Sequence, residues 1–117
     1  MASKSIIVEN ESFSVISGEE TQCRHHLIFG NGRRELSEED GLWIPLTNAE
    51  HNLASLQDVE PDMFALLSQI HENPMAEHLS KIAGQLAWEG DYYRRATTMG
   101  LFSARRAFRQ RYGKSYL

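Results

Sequence analysis

The sequence predicts an α+β fold in which a small early sheet is followed by helices. Three observations point there. Short β-capable runs are confined to the first half of the chain. Thr47-Asn48-Ala49-Glu50 has the form of a capping box, a threonine cap with a glutamate three residues on. Met75, Leu79, Ile82 and Leu86 then recur at i, i+4, i+7 and i+11, the spacing of an amphipathic helix.

Taken in order, Ser5–Val8 and Phe13–Ile16 read as short strands, with Gly18-Glu19-Glu20 as a turn. Arg24–Phe29 is a further β-capable stretch, broken by Gly30-Asn31-Gly32. Trp43-Ile44-Pro45-Leu46 is extended, and Pro45 makes it an edge or a strand end. The capping box opens a helix with His51 in its first turn. Met63, Phe64, Leu67 and Ile70 follow at helical spacing after Pro61, a favoured first-turn proline. Helices are expected over 75–89 and, rich in arginine, over about 98–111.

The 117 residues are 41% hydrophobic and 24% charged, the profile of one ordinary globular domain spanning 1–117. No apolar run approaches the length of a membrane span, and Ile6-Ile7-Val8 is too short for a signal peptide. One cysteine, Cys23, excludes an internal disulfide framework and an all-cysteine zinc site. A cytoplasmic protein is expected. Cys23 reads as a buried thiol or, with a nearby histidine, as a nucleophile. No Walker or dinucleotide glycine loop and no G-x-S-x-G elbow occurs.

Net charge is −4, but it is unevenly spread. Residues 1–91 hold all 16 acids and balance to −11, whereas the basic segment 92–117 has no acid and balances to +7. Arg105, Arg106 and Arg109 in that segment could neutralise nucleic-acid phosphates. The alternative is a solvated helix face paired with acids elsewhere in the fold. Arg33 and Arg34 are a second candidate surface. Trp43, Trp88, Tyr92 and Tyr93 could stack bases or simply fill the core and its rim.

Five histidines fall at 25, 26, 51, 71 and 78. Neutral imidazole is a ligand for borderline divalent ions and a base near neutral pH. His25 and His26 are adjacent on a strand and point to opposite sides, so one can bind a metal while the other activates water. His78 matches neither role and reads as a surface residue.

These residues carry a resemblance. Cys23-Arg24-His25-His26-Leu27-Ile28-Phe29-Gly30, Arg33–Leu42 and Pro45-Leu46-Thr47-Asn48-Ala49-Glu50-His51-Asn52 resemble the HNH (His-Me finger) endonucleases of phages and prophages. More narrowly, the chain is similar to a small recombination-associated family. That family has an HHIFFG-type strand, a SEKYGL-type turn and an LCPEHHN-type helix start. A VHxN element, a QRAFE-type helix and an FGKNYL-type tail follow. Here Ile70-His71-Glu72-Asn73, Gln85–Glu89 and Tyr112–Leu117 stand in that order.

The resemblance implies a ββα-metal core and a metal-dependent DNA endonuclease. One divalent ion (Mg, Mn or Zn) would be held by His25, His51 and His71, with His26 as general base. Asn73 would orient a ligand or a phosphate. The partners implied are DNA and a phage or host recombination protein.

The chain departs from that family in three ways. Ser14-Val15-Ile16-Ser17 and Thr47-Asn48-Ala49-Glu50 stand where many relatives carry paired zinc cysteines. Hydroxyls do not replace thiolates on zinc, so no structural zinc is expected. The middle asparagine has no counterpart, the best local residues being Glu39 and Asp40. Leu53–Gln69 reads as an insertion that must loop out and return His71 to the metal. The competing functions are a non-cleaving His-Me finger that binds DNA or a protein, and a purely structural phage or host protein.

Overall fold

The computed structural model describes residues 3–51, 70–71, 73–95 and 101–117. The expected helix after Pro61, the insertion 53–69 and the start of the last helix at 98–100 lie outside these residues, except for Ile70. The architecture is α+β. Its elements are β1 (Cys23–His26), α1 (Arg33–Asp40), β2 (Trp43–Leu46), α2 (Asn48–His51), α3 (Pro74–Arg95) and α4 (Leu101–Tyr112). Among the described residues no helix is long and apolar enough to cross a membrane.

β1 and β2 pair antiparallel, with His25 opposite Ile44 and His26 opposite Trp43. The ladder is extended by Gln22 N–H to Leu46 O and Leu27 N–H to Leu42 O. Pro45 sits in a two-stranded sheet in which each strand is an edge, as its missing donor requires.

The expected strands at 5–8 and 13–16 do not form. Only an isolated bridge, Phe13 to Glu20, is present there. The physical reason is local capture of backbone donors by side chains. The Ser5 hydroxyl accepts from Ile7 and Val8 N–H, Asn10 from Ser12, and the Ser14 hydroxyl from Ile16 and Ser17. The segment nevertheless lies along the outer side of β2, where Val15 N–H bonds Pro45 O and Ser5 Oγ bonds Trp43 O.

α1 occupies a stretch for which the sequence predicts no helix. Its single apolar residue, Leu36, gives almost no helical periodicity. The legible signal was its stop. Gly41 follows the helix at φ 71°, its N–H bonds Glu38 O, and Leu42 N–H bonds Ser37 O, a Schellman ending.

α3 extends the expected 75–89 at both ends but presents the opposite face. Met75, Leu79 and Leu86 are 71%, 56% and 51% exposed, while Ser80, Gly84, Gln85, Trp88 and Glu89 are buried. Close approach decides this. A Cβ on Gly84 would lie 2.9 Å from Ile28 Cγ1 and 3.0 Å from Leu27 Cβ, so the small residues mark where α3 rests on the chain following β1.

The core is Leu27, Ile28, Leu42, Trp88, Phe108 and Tyr112. Phe108 stacks on Tyr112 at 4.6 Å, Trp88 meets Phe108 edge-on at 5.6 Å, and Tyr92 stacks on Trp88. Asp40 ties α1 to both long helices, accepting from Trp88 Nε1, Tyr112 OH and Arg111. The C-terminal tail is held by buried Gln85, whose Oε1 accepts from Tyr116 N–H and whose Nε2 donates to Ser115.

Candidate metal centre

Three histidines from three parts of the chain meet at one point. The ring centroids of His25, His51 and His71 are 5.1, 5.1 and 4.6 Å apart, and Phe29 walls the group against His71 at 4.9 Å. Each ring offers one nitrogen, and the three nitrogens lie within 4.8 Å of one another.

His25 comes from β1 and is fully buried. Ser80 donates its hydroxyl hydrogen to Leu27 O at 2.8 Å, so its oxygen is left to accept from His25 Nε2–H at 2.8 Å. That fixes the tautomer and leaves His25 Nδ1 as a lone pair, and this atom is buried without a hydrogen-bond partner. An orphaned buried imidazole nitrogen beside two further imidazoles fits a metal ion.

His51 is delivered by the capping box. Thr47 N–H donates to Glu50 Oε1 at 2.8 Å, and Glu50 N–H donates to Thr47 Oγ1 at 3.4 Å. Ser14 adds a hydroxyl donor to the same carboxylate oxygen at 2.6 Å. Burial alone would raise the Glu50 pKa, but bonds from Ser14, Thr47 and Ser17 outweigh it and hold the carboxyl below its ordinary range. The positions expected to replace zinc cysteines are thus joined by hydrogen bonds.

His71 arrives beside α2. Ile70 N–H bonds Glu50 O and His71 N–H bonds His51 O, two carbonyls that a helix would bond to donors four residues on. His71 Nδ1 donates to Glu77 Oε2 at 3.0 Å, and its Nε2 faces His51 Nε2 at 3.0 Å. A carboxylate that orients one nitrogen of a histidine and turns the other toward further imidazoles is a recurrent support for metal ligands.

Two of the three rings are held uncharged. Burial, then the neighbouring His51, His71 and His26, push the His25 pKa down to about 3. Burial, then His71, His26 and Arg34, push His51 down to about 4. Neutral imidazole is the form that binds metals.

His26 points to the other side of β1, as adjacent strand residues must. It borders an open groove of about 300 Å³ with Arg34, Glu35, Glu38 and Glu39. Its Nε2 lies 2.9 Å from Glu38 Oε1. Glu38 was missed from sequence, where Glu39 and Asp40 were favoured. Glu39 and Asp40 instead bind Arg111.

Asn73, two residues after His71, has a structural role at its side-chain oxygen. Its Oδ1 caps α3, accepting from Met75 and Ala76 N–H, with Pro74 as the first helical residue. Glu77 and Ser80, also missed, stand three residues apart on α3 and support His71 and His25. His78 is exposed, as expected.

The arginines divide. Arg33 donates to Tyr112 O, and Arg105 grips buried Glu89 with two nitrogens. Arg94 and Arg95 pair with Asp91, and Arg111 with Asp40. Much of the positive charge after residue 91 therefore answers acids within the fold. Arg34 and Arg109 are exposed, as are Arg106 and the paired Arg94 and Arg95.

No protein-family model matches the chain, and comparisons with characterised proteins and with solved structures return no match.

Proposed function

We propose that the protein is a metal-dependent DNA endonuclease of the His-Me finger type, of phage or prophage origin, built on a ββα-metal site. The carrying observation is the convergence of His25, His51 and His71, with the buried His25 Nδ1 unpartnered and Ser80 and Glu77 orienting two of the rings. His25, His51 and His71 would hold the ion. Three imidazoles suit Zn²⁺ or another transition ion better than Mg²⁺, which prefers oxygen ligands. A bound ion would supply Lewis-acid stabilisation of the charge on the phosphate and the leaving oxygen.

The chain supplies the rest. A ring nitrogen of His26 takes a proton from water as the water oxygen bonds to phosphorus. The P–O bond to the leaving oxygen breaks, and that oxygen is protonated from solvent or by the imidazolium. Arg34, exposed on the same groove as His26, steadies the phosphate.

The experiment is nicking of supercoiled DNA by the full chain with Zn²⁺, Mn²⁺ or Mg²⁺, wild type against His26→Ala. Loss of about 10²–10⁴ in rate with metal binding retained is expected. Equal cleavage by the variant overturns the assignment of the base.

A second reading is a His-Me finger that binds DNA or a recombination protein without cutting. The pairing of Arg94, Arg95, Arg105 and Arg111 with internal acids favours it, because less free positive charge is left for a long duplex. Under either reading the DNA surface is Arg34 and Arg109 rather than Arg105. Replacing both with alanine should flatten the salt dependence of DNA binding by about one unit of slope per lost phosphate contact.

A further inference from the structure

Four side chains from three elements form a continuous line ending at His26. Trp43 on β2 is the cross-strand partner of His26 and is buried. The Arg24 guanidinium, two residues before His26 on the same face of β1, sits 3.8 Å above the Trp43 ring. Arg24 Nη1 donates to Glu38 Oε2 at 2.8 Å, and the other oxygen of that carboxylate faces His26 Nε2 at 2.9 Å.

An ionised carboxylate can only accept, so the hydrogen of a neutral His26 belongs on Nε2. Nδ1 is then the lone pair left to receive a proton. Arg24 engages the second carboxylate oxygen, and the Trp43 face restrains Arg24, so Glu38 has little freedom to turn away. His26 itself is only 6% exposed, so its ring is also confined by packing.

We infer that Glu38 is the positioning residue of this site. It holds His26 in the Nε2–H tautomer and in one orientation, with Nδ1 as the proton acceptor. Its consequence for rate rests on the nuclease reading; its effect on the tautomer does not. A mere strut between β1 and α1 would need the contact but not the charge, and that difference is measurable.

The test is Glu38→Gln in the full chain. The tautomer is read by long-range ¹H–¹⁵N correlation of His26 at pH 8, and cleavage kinetics are read on the zinc- or manganese-loaded protein. Glutamine keeps the shape but can offer either an oxygen or an NH₂ to the ring. The wild type should show the Nε2–H form. The variant should gain the Nδ1–H form and lose about 10²–10⁴-fold in kcat, with KM and melting midpoint little changed. An Nδ1–H wild type, or a variant with an unchanged tautomer and unchanged kcat, overturns the inference. A wild type that cuts nothing with any ion removes the nuclease reading alone. The tautomer of the two proteins then decides the role of Glu38 by itself.

Discussion

His71 Nε2 lies 3.0 Å from His51 Nε2, although 20 residues separate them in the chain. The backbone bond from His71 N–H to His51 O brings the second ring alongside the first, and Glu77 turns it inward. The histidine cluster is therefore completed with the help of a helix, α3, that contributes no histidine to it.

Glu77→Gln should weaken binding of zinc by about 10–100-fold, the usual cost of losing a partner that orients a metal-bound histidine. The fold should persist, because Glu77 is half-buried and its principal bond is to His71. Isothermal titration of the full chain with Zn²⁺ measures this. An unchanged affinity would show that His71 is not a ligand.

Stability should fall on acidification in the presence of a chelator. His25 and His51 are lowered from 6.5 to about 3 and about 4, so below pH 6.5 the unfolded chain takes up protons that the folded chain refuses. Stability is then lost as pH falls through the window from about 6.5 toward 4, and is flat above it as far as these groups are concerned. Glu50, held below its ordinary range, adds a loss in the same direction at lower pH. Melting midpoints between pH 4 and 8 test this; a constant midpoint down to pH 5 contradicts it.

Glu50→Ala should cost more than removal of the threonine cap alone. Thr47→Val removes one weak bond of 3.4 Å, whereas Glu50→Ala strands both the Thr47 N–H and the Ser14 hydroxyl. About 0.5–1 kcal/mol is expected for the first and about 1–3 kcal/mol for the second. Both should weaken metal binding, since α2 presents His51. Chemical denaturation with and without zinc reports the two effects; equal and negligible losses would sink the idea.

Gly84→Ala and Leu79→Gln should behave opposite to what hydrophobic periodicity suggests. The added methyl at 84 enters the packed contact with Ile28 and Leu27, and overpacking of about 1–3 kcal/mol outweighs the gain in helix propensity of about 1 kcal/mol. Leu79 is more than half exposed, so its replacement should stay within about 0.5 kcal/mol. A stable Gly84→Ala beside an unfolded Leu79→Gln would mean that α3 packs through its other face.

The sequence by itself determined what local chemistry decides. The capping box, the break at Gly30-Asn31-Gly32 and the extended piece around Pro45 depend on residues a few positions apart, and all three are present. The opposite faces of His25 and His26 follow from strand alternation alone. The α+β class follows from the order of such local signals.

What the tertiary structure decided depends on residues far apart. Ser5 and Ser14 took backbone donors that the expected strands needed, a competition that β propensity does not register. α3 turned the face of Ser80, Gly84, Gln85 and Trp88 inward because Gly84 can touch Leu27 and Ile28, where a Cβ would hold the helix off. That same contact sets Ser80 against His25 and Glu77 against His71, and packing of α1 sets Glu38 against His26. The histidines could be picked out from their types and spacing. The residues that orient them could not, because an orienting hydrogen bond needs only proximity, and proximity across 6, 12 or 55 positions is created by folding.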